Sequence, residues 1–279
     1  MIKPKKTLLR NLKYILLGLT AFTAVYPFIW MVLYSLKSTE EIFITNPFGL
    51  PRDWLIENYI TAFKSYNVLL YMGNSMIVAF FTVSLTILLA LMFSYAVARM
   101  KLKMMVFLKT YVLAGMFVPV QIILIPLLIL VKNFHLGNTF ASIILPYVAF
   151  GLPFSTIVFY AFFRSIPYAM EESAFLDGAG IFTTFFLIIL PLVKPAIATV
   201  LILRFLSSWN EFTLALVLIS DNAIKTLPLG LISFQGQFAT NWGAMGAALT
   251  IASLPTLSVY LLFSNHVEKA MSMGSAVKG

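Results

Sequence analysis

Six stretches of this sequence, roughly Tyr14 to Leu36, Leu70 to Ala98, Met105 to Val131, Thr139 to Phe163, Thr184 to Ile219 and Gly243 to Phe263, are dominated by apolar residues. Each exceeds the roughly 20 residues that an α-helix needs to cross about 30 Å of hydrocarbon. Only 10% of the 279 residues are charged and 61% are hydrophobic, whereas a soluble domain carries about a quarter charged residues. The expected fold is therefore an all-α, polytopic membrane protein with six transmembrane helices in a single domain, residues 1–279, and little chain is left over for a soluble catalytic domain. The chain has no cysteine, which excludes disulfide frameworks, thiolate nucleophiles and cysteine-based metal sites.

Charge placement orients the spans. Six crossings put residues 1–13 and 265–279 on one side, and Lys3, Lys5, Lys6, Arg10 and Lys13 precede the first span, so the positive-inside bias predicts that both termini are cytoplasmic. On that topology 13 basic residues are cytoplasmic and 5 are outside, and the whole net charge of +9 falls on the cytoplasmic face. The first apolar run is too long for the 7 to 15 residues of a cleaved signal sequence. The basic excess thus reports topology and anionic headgroups of a cytoplasmic or inner membrane, and no nucleic-acid partner is expected because no basic patch is interleaved with exposed aromatics.

Two connections are long: an outer loop, 37–68, with turn formers Asn46, Pro47, Gly49 and Pro51 before an amphipathic stretch near Trp54 to Phe63, and a cytoplasmic loop, 164–183. The second reads as a short surface helix. Ser165 is placed to cap it, Pro167 suits its first turn, and Glu171 and Glu172 favour its positive end. Gly178 can take positive φ and turn the chain back. The rod is expected to display its acids to the cytosol, although a polar interfacial linker is the plain alternative.

Within that loop, Glu172-Ser173-Ala174, three residues, Gly178, nine residues, then Ile188-Ile189-Leu190-Pro191 resembles the EAA loop of binding-protein-dependent ABC importer permeases, with Ser173 in place of the usual second alanine. Pro119-Val-Gln121, Ile125-Pro126-Leu127, Leu145-Pro146-Tyr147, Trp209-Asn210-Glu211-Phe212, Phe234-Gln235-Gly236-Gln237, Trp242-Gly243 and the Gly274 to Gly279 ending are similar to the second permease subunit of maltose-type sugar importers. The resemblance implies a type I ABC importer membrane domain: the translocation-pathway subunit of an ATP-driven di- or oligosaccharide importer. Its implied partners are a second homologous permease, an ATPase subunit dimer, an extracytoplasmic sugar-binding protein, the carbohydrate and the bilayer. It also implies that Glu171, Glu172, Ala174, Asp177 and Gly178 form the ATPase-coupling helix, with Glu172 as the acid that meets the ATPase. The sequence has no Gly-Lys dipeptide and hence no G-x4-G-K-[ST] phosphate loop. ATP and Mg are thus expected on the partner ATPases, with no cofactor on this chain and no catalytic role for it.

With Lys109 and Lys194 assigned to cytoplasmic ends, Arg204 and Glu211 are the ionised groups left within the spans, both in the fifth and seven residues apart, which places them on one helix face. Each costs about 2.5 to 3.5 kcal/mol against lipid at the bilayer centre, so both should face protein or water. Trp209, Asn210, Glu211 and Phe212 offer a sugar hydrogen bonds and an aromatic face, and Gln121, between Pro119 and Pro126, is the next candidate for the substrate pathway; Asn74 is weaker. Eight prolines, at 27, 119, 126, 146, 153, 191, 195 and 255, predict kinked rods. Ser207 and Ser208 read as helix-packing residues. His135 and His266 are the only histidines and fall on opposite sides, so no metal site is expected. A self-sufficient ion-coupled carrier using Glu211 remains the rival, although such carriers usually show two related halves. Glycerol-phosphate and polyol substrates remain open, with Glu211 weighing against phosphate.

Overall fold

The computed structural model describes the backbone of residues 4–100, 103–235 and 240–276 and the side chains of residues 10–100, 103–235 and 240–263. The side chains of Lys3, Lys5, Lys6, Lys101, His266, Glu268, Lys269 and Lys278, the Gly236-Gln237 pair and most of the Gly274 to Gly279 ending lie outside what is described. Among the described residues the chain is helical with no strand, and Gln235 and Thr240 form one isolated bridge. The helices are α1 (Pro4–Tyr34), α2 (Glu57–Ser65), α3 (Val68–Arg99), α4 (Lys103–Ala114), α5 (Val120–Asn133), α6 (Ala141–Ser165) and α7 (Ala169–Leu176). They continue as α8 (Ile181–Leu192), which contains a π-helical turn at Thr184–Ile189, α9 (Lys194–Trp209), α10 (Thr213–Leu218) and α11 (Trp242–Ala276).

Four helices cross as single rods by length and composition, Arg10–Tyr34, Val68–Arg99, Ala141–Ser165 and Trp242–Phe263. The third and fifth expected spans are instead broken pairs. α4 with its 3-10 extension meets α5 at 106°, and α8 meets α9 at 74°. The first break falls where Val118, extended before Pro119, leaves the helical region, as a residue preceding proline tends to do. The second falls at Val193, two residues before Pro195, whose ring and missing N–H oppose continuation of the preceding turn. By contrast, Pro27, Pro126, Pro146, Pro153 and Pro255 sit inside continuous helices. A third interruption, Asn210–Phe212, has no proline at all and ends α9 before Glu211.

The chain divides into two compact units, residues 1–68 with 231–254, and residues 69–230 with 255–279. In the first unit α1 is apolar all round and exposed, from Leu12 to Val32, a surface suited to hydrocarbon. The segment after it closes on a buried cation. Lys37 is 1% exposed, and its Nζ donates to the carbonyls of Asn46 at 2.6 Å and Gly49 at 2.7 Å. Glu41 accepts from the Arg52 N–H at 2.8 Å and from Asn46 Nδ2 at 2.9 Å. Burial pushes the Glu41 carboxyl up, but those hydrogen bonds and the charges of Lys37 and Arg52 outweigh it and hold it below the usual carboxylate range.

Because Lys37 organises this segment, Lys37→Met should leave the Asn46 carbonyl without its donor at a cost of about 1–3 kcal/mol and open residues 38–56 to protease. The depressed Glu41 carboxyl sets the sign of the pH effect: its contribution is complete above the ordinary carboxylate pKa and is lost as pH falls through the lower, folded value. Hydrogen-exchange protection across 38–56, taken relative to the intrinsic rate at each pH, should therefore fall below the ordinary carboxylate range in wild type. The same acidification should have little effect on a Glu41→Gln variant.

In the second unit two apolar clusters hold α3, α5, α6, α8, α9 and α10 together. One is built on Val78, Ile143, Tyr147, Val148, Leu214 and Leu218. The other is built on Ala90, Tyr95, Phe159, Phe163, Phe185, Ile189 and Val200. In the latter the rings of Tyr95, Phe163 and Phe185 meet with centroids 4.8 to 6.4 Å apart, in the range of favourable aromatic pairs.

Candidate functional site

The loop between α6 and α8 is a helix with a built stop. Ser165 does not cap it: its hydroxyl donates back to the Phe162 carbonyl within α6, which runs to Ser165, two residues past the expected Phe163, and α7 begins at Ala169. At the far end the Gly178 N–H donates to the Phe175 carbonyl at 3.0 Å and the Ala179 N–H to the Ala174 carbonyl at 2.9 Å, with Gly178 at φ 85°. This is the paired closure that a left-handed residue after a helix permits.

The two neighbouring acids of α7 go opposite ways, since successive helical residues point about 100° apart. Glu172 is exposed. Glu171 is not displayed to solvent, contrary to expectation: it is 5% exposed and lies on the inward face with Ala174, because Arg99 at the end of α3 meets it. The Arg99 Nε stands 2.6 Å from Glu171 Oε1, with side chains 5% and 7% exposed. Tyr95 donates its hydroxyl to Glu171 Oε2 at 3.3 Å, Arg99 Nη2 donates to the Ile166 carbonyl at 3.0 Å, and Tyr168 donates to the Ala98 carbonyl at 3.0 Å. The Arg99 guanidinium also lies 4.4 Å over the Tyr168 ring. The loop is thus stitched to the last turn of α3 by several independent contacts, while Glu172, Ser173, Phe175, Leu176 and Asp177 stay exposed.

A second site opens in the same unit, a cavity of about 100 Å³ lined by Thr82, Val120, Tyr147, Phe150, Arg204, Ser207, Ser208, Glu211 and Leu214. Arg204 and Glu211 do not share a helix face, because α9 ends at Trp209; they meet as wall residues of this cavity instead. Glu211 closes the break that follows α9. Its Oε1 accepts from the Leu214 N–H at 2.8 Å, its Oε2 from the Ala215 N–H at 3.3 Å, and the Tyr147 hydroxyl also donates to Oε2. The carboxylate thereby satisfies the first free N–H groups of α10. Ser207 and Ser208 also line the cavity.

Of the five residues expected along the pathway, Glu211 alone lines this cavity. Trp209 is 2% exposed and stacks on Phe205 with centroids 5.5 Å apart. Asn210 is exposed and donates through Nδ2 to the Leu206 carbonyl at 2.9 Å, closing α9. Phe212 is 36% exposed, and Gln121 is exposed in the first turn of α5. Asn74 donates to the Ala223 and Lys225 carbonyls at 2.9 Å each, a tie for the 220s segment. Thr82, Tyr147 and Phe150 went unrecognised in the sequence; the Leu145-Pro146-Tyr147 motif was the one local signal near them. No group of three or more His, Asp or Glu side chains that could hold a metal occurs among the described residues.

Loop and cavity are joined by continuous rods. Arg99 and Thr82 lie on α3 seventeen residues apart, about 25 Å at 1.5 Å per residue. α6 likewise carries Phe163 near the loop and Tyr147 at the cavity. An apolar helical protein with such a pair of linked sites belongs to the membrane-embedded class. Residues 87–273 match the model of the binding-protein-dependent transport system inner membrane components, and the chain belongs to that family. It is 36% identical to the diacetylchitobiose uptake system permease protein NgcG of Streptomyces coelicolor, over 95% of this chain and 88% of that one. It is 32% identical to the sulfoquinovosyl glycerol transport system permease protein SmoH of Agrobacterium fabrum, over 95% and 93%. It is 31% identical to the trehalose/maltose transport system permease protein MalG of Thermococcus litoralis, over 94% of each. The fold matches a chain in the crystal structure of a bacterial ABC transporter involved in alginate import, with a TM-score of 0.83 over 96% of this chain and 99% of that one at 20% identity. A further match at TM-score 0.67 is to that kind of transporter in complex with an alginate pentasaccharide-bound periplasmic protein.

Proposed function

We propose that this chain is the translocation-pathway subunit of an ATP-driven di- or oligosaccharide importer, working with a second permease, a pair of ATPase subunits carrying ATP and Mg, and an extracytoplasmic sugar-binding protein. Both termini and the α7 loop face the cytoplasm in this reading. The observation that carries it is the stitched loop: an exposed acidic helix end, held rigidly by Arg99 to a rod that reaches the cavity, is built to receive a push. Glu172, with Asp177 and the apolar tips Phe175 and Leu176, forms the face that meets the ATPase. Glu171 and Ala174 hold the helix to α3, and Gly178 closes it. ATP-driven approach of the ATPases would tilt α3 and α6 together, since the Tyr95, Phe163 and Phe185 rings lock them, and so switch access to the cavity. Moving such an equilibrium from 1:99 to 99:1 needs about 5.5 kcal/mol, within the differential affinity that nucleotide binding can supply.

Relatives whose names specify diacetylchitobiose, sulfoquinovosyl glycerol and trehalose/maltose support a carbohydrate cargo. The test is to purify the complex, identify its partners by mass, and screen carbohydrates for stimulated ATP turnover. Sugar-dependent turnover is expected; uptake by this chain alone under an ion gradient would favour the carrier reading instead. Within the complex, Glu211→Ala removes the acceptor for two α10 N–H groups and for Tyr147. It should lower uptake severalfold with the partners still bound. Asn210→Ala, at an exposed helix end, should have the smaller effect. Equal uptake by wild type and Glu211→Ala would remove the carboxylate from the pathway.

A further inference from the structure

Two hollows meet at Met100, at the α7 end of α3. The first lies between α3 and α8, has a volume of about 330 Å³ and is walled chiefly by Met92, Ala96, Met100, Ile181, Phe182 and Phe186. Its one lining hydroxyl, that of Tyr95, donates to Glu171, so the trough presents an apolar surface. From Met92 to Met100 it follows α3 for eight residues, about 12 Å at 1.5 Å per residue, close to the roughly 15 Å of hydrocarbon in one leaflet. The second hollow, also about 330 Å³, lies between α3, α4 and α6 and adds two cations, Lys103 and Lys109, to Val97, Met100 and Tyr160. Lys109 Nζ stands 4.5 Å from the Tyr160 ring centroid, a contact that holds the charge at the wall. The one ion pair among the described residues is that of Arg99 with Glu171, so neither lysine has a carboxylate partner there.

Together the two hollows have the form of an amphiphile. A trough about one leaflet deep suits an acyl chain, and lysines without a counter-charge at its Met100 end suit an anionic headgroup. We propose that they form one site for an anionic phospholipid, its phosphate drawn to Lys103 and Lys109 and one chain laid along α3 against Phe182 and Phe186. On the orientation proposed above, the lipid belongs to the cytoplasmic leaflet, and charge then separates it from a rival occupant. A helix from a neighbouring subunit would end at the face where membrane helices carry Lys and Arg, adding repulsion where the lipid brings a counter-charge. Tyr95 gives the site a consequence. Its ring walls the trough and its hydroxyl holds Glu171, so a bound chain sits directly behind the attachment of α7.

The test uses the purified complete complex in detergent, titrated with phosphatidylglycerol, phosphatidylcholine or inorganic phosphate, with bound lipid counted by native mass spectrometry. The first phosphatidylglycerol should half-saturate at a concentration at least about tenfold lower than phosphatidylcholine, as expected of a net negative headgroup facing two lysines. Lys103→Gln with Lys109→Gln should abolish that preference. Arg10→Gln with Lys13→Gln, at the start of α1, should leave it intact, and Ala96→Phe, which fills the trough, should weaken both lipids alike. Equal binding of the two lipids by wild type, or a preference unchanged in the Lys103 and Lys109 double variant, would overturn the proposal. Equal loss of preference in both double variants would do so too, by assigning it to diffuse surface charge. Inorganic phosphate that displaces phosphatidylglycerol at equal concentration would assign the lysines to a soluble anion and overturn it. Loss of the second permease from the Ala96→Phe complex would also overturn it, by giving the trough to a neighbouring helix. If Ala96→Phe fails to fold, the lysine titrations decide alone. Sugar-stimulated ATP turnover is read in parallel: its absence with the lipid preference intact sinks the importer reading, whereas a lost preference with turnover intact sinks only the lipid site.

Discussion

Arg99→Ala is expected to destabilise the α7 loop by about 3–5 kcal/mol, because it leaves the buried Glu171 carboxylate unpaired. The same substitution removes the bond to the Ile166 carbonyl and the cation resting on Tyr168, so three attachments fail together. Glu171→Gln should cost less than Arg99→Ala, since the amide oxygen can still accept from Arg99. Combining Arg99→Met with Glu171→Leu should recover most of the lost stability, as apolar pairs of similar volume often replace buried ion pairs without loss. Stability measured by thermal unfolding, and sugar imported per ATP hydrolysed, separate two roles. In the double variant the first should return while the second stays depressed, because the polar contacts of Arg99 and Glu171 that fix α7 to α3 are gone and only the Tyr168 bond to the Ala98 carbonyl is left. Recovery of both would reduce the ion pair to a packing element.

The second large effect falls on the exposed face and its stop. Glu172→Ala should abolish coupling of ATP turnover to uptake while unfolding remains as in wild type, since Glu172 makes no buried contact to lose. Gly178 offers a cleaner dissection. It stands at φ 85°, and a Cβ built there meets nothing within 4 Å, so any penalty is conformational and not steric crowding. Gly178→Val should cost about 1–2 kcal/mol of loop stability and uncouple transport, whereas Gly178→Asn, which tolerates left-handed backbone, should stay close to wild type. Equal coupling in the valine and asparagine variants would detach the turn from the mechanism.

Much of the architecture was legible because its cause is local. Apolar runs set by bilayer thickness locate the crossings, and two of the three helix breaks lie at prolines, Pro119 through the restriction it puts on Val118 and Pro195 through its ring and missing N–H. Gly178 was readable for the same reason, as positive φ is a property of one residue. The third break was not: Asn210–Phe212 contains no breaker, and it exists because Glu211 folds onto the N–H groups of α10 and the hydroxyl of Tyr147, 64 residues away. The opposite fates of Glu171 and Glu172 were equally opaque. Only the partner distinguishes two adjacent acids, and Arg99 lies 72 residues earlier in the chain. The placement of Ala174 three residues after Glu171, on the same helical face, was the available clue. Trp209 illustrates the converse error: an aromatic beside polar neighbours looked like a ligand platform, whereas it packs on Phe205 one turn back.

In the proposed function, α7 is pressed by an ATPase subunit and passes that push along α3. Leu176, 88% exposed at the tip of the helix in a chain without native cysteine, allows the most direct measurement: Leu176→Cys in the assembled, reconstituted complex. This thiol should cross-link to the ATPase through a short bifunctional reagent, bound ATPase should shield it from a bulky maleimide, and the cross-link should halt sugar-stimulated ATP turnover. A thiol that reacts freely in the intact complex, with turnover unchanged after labelling, would contradict the proposed function.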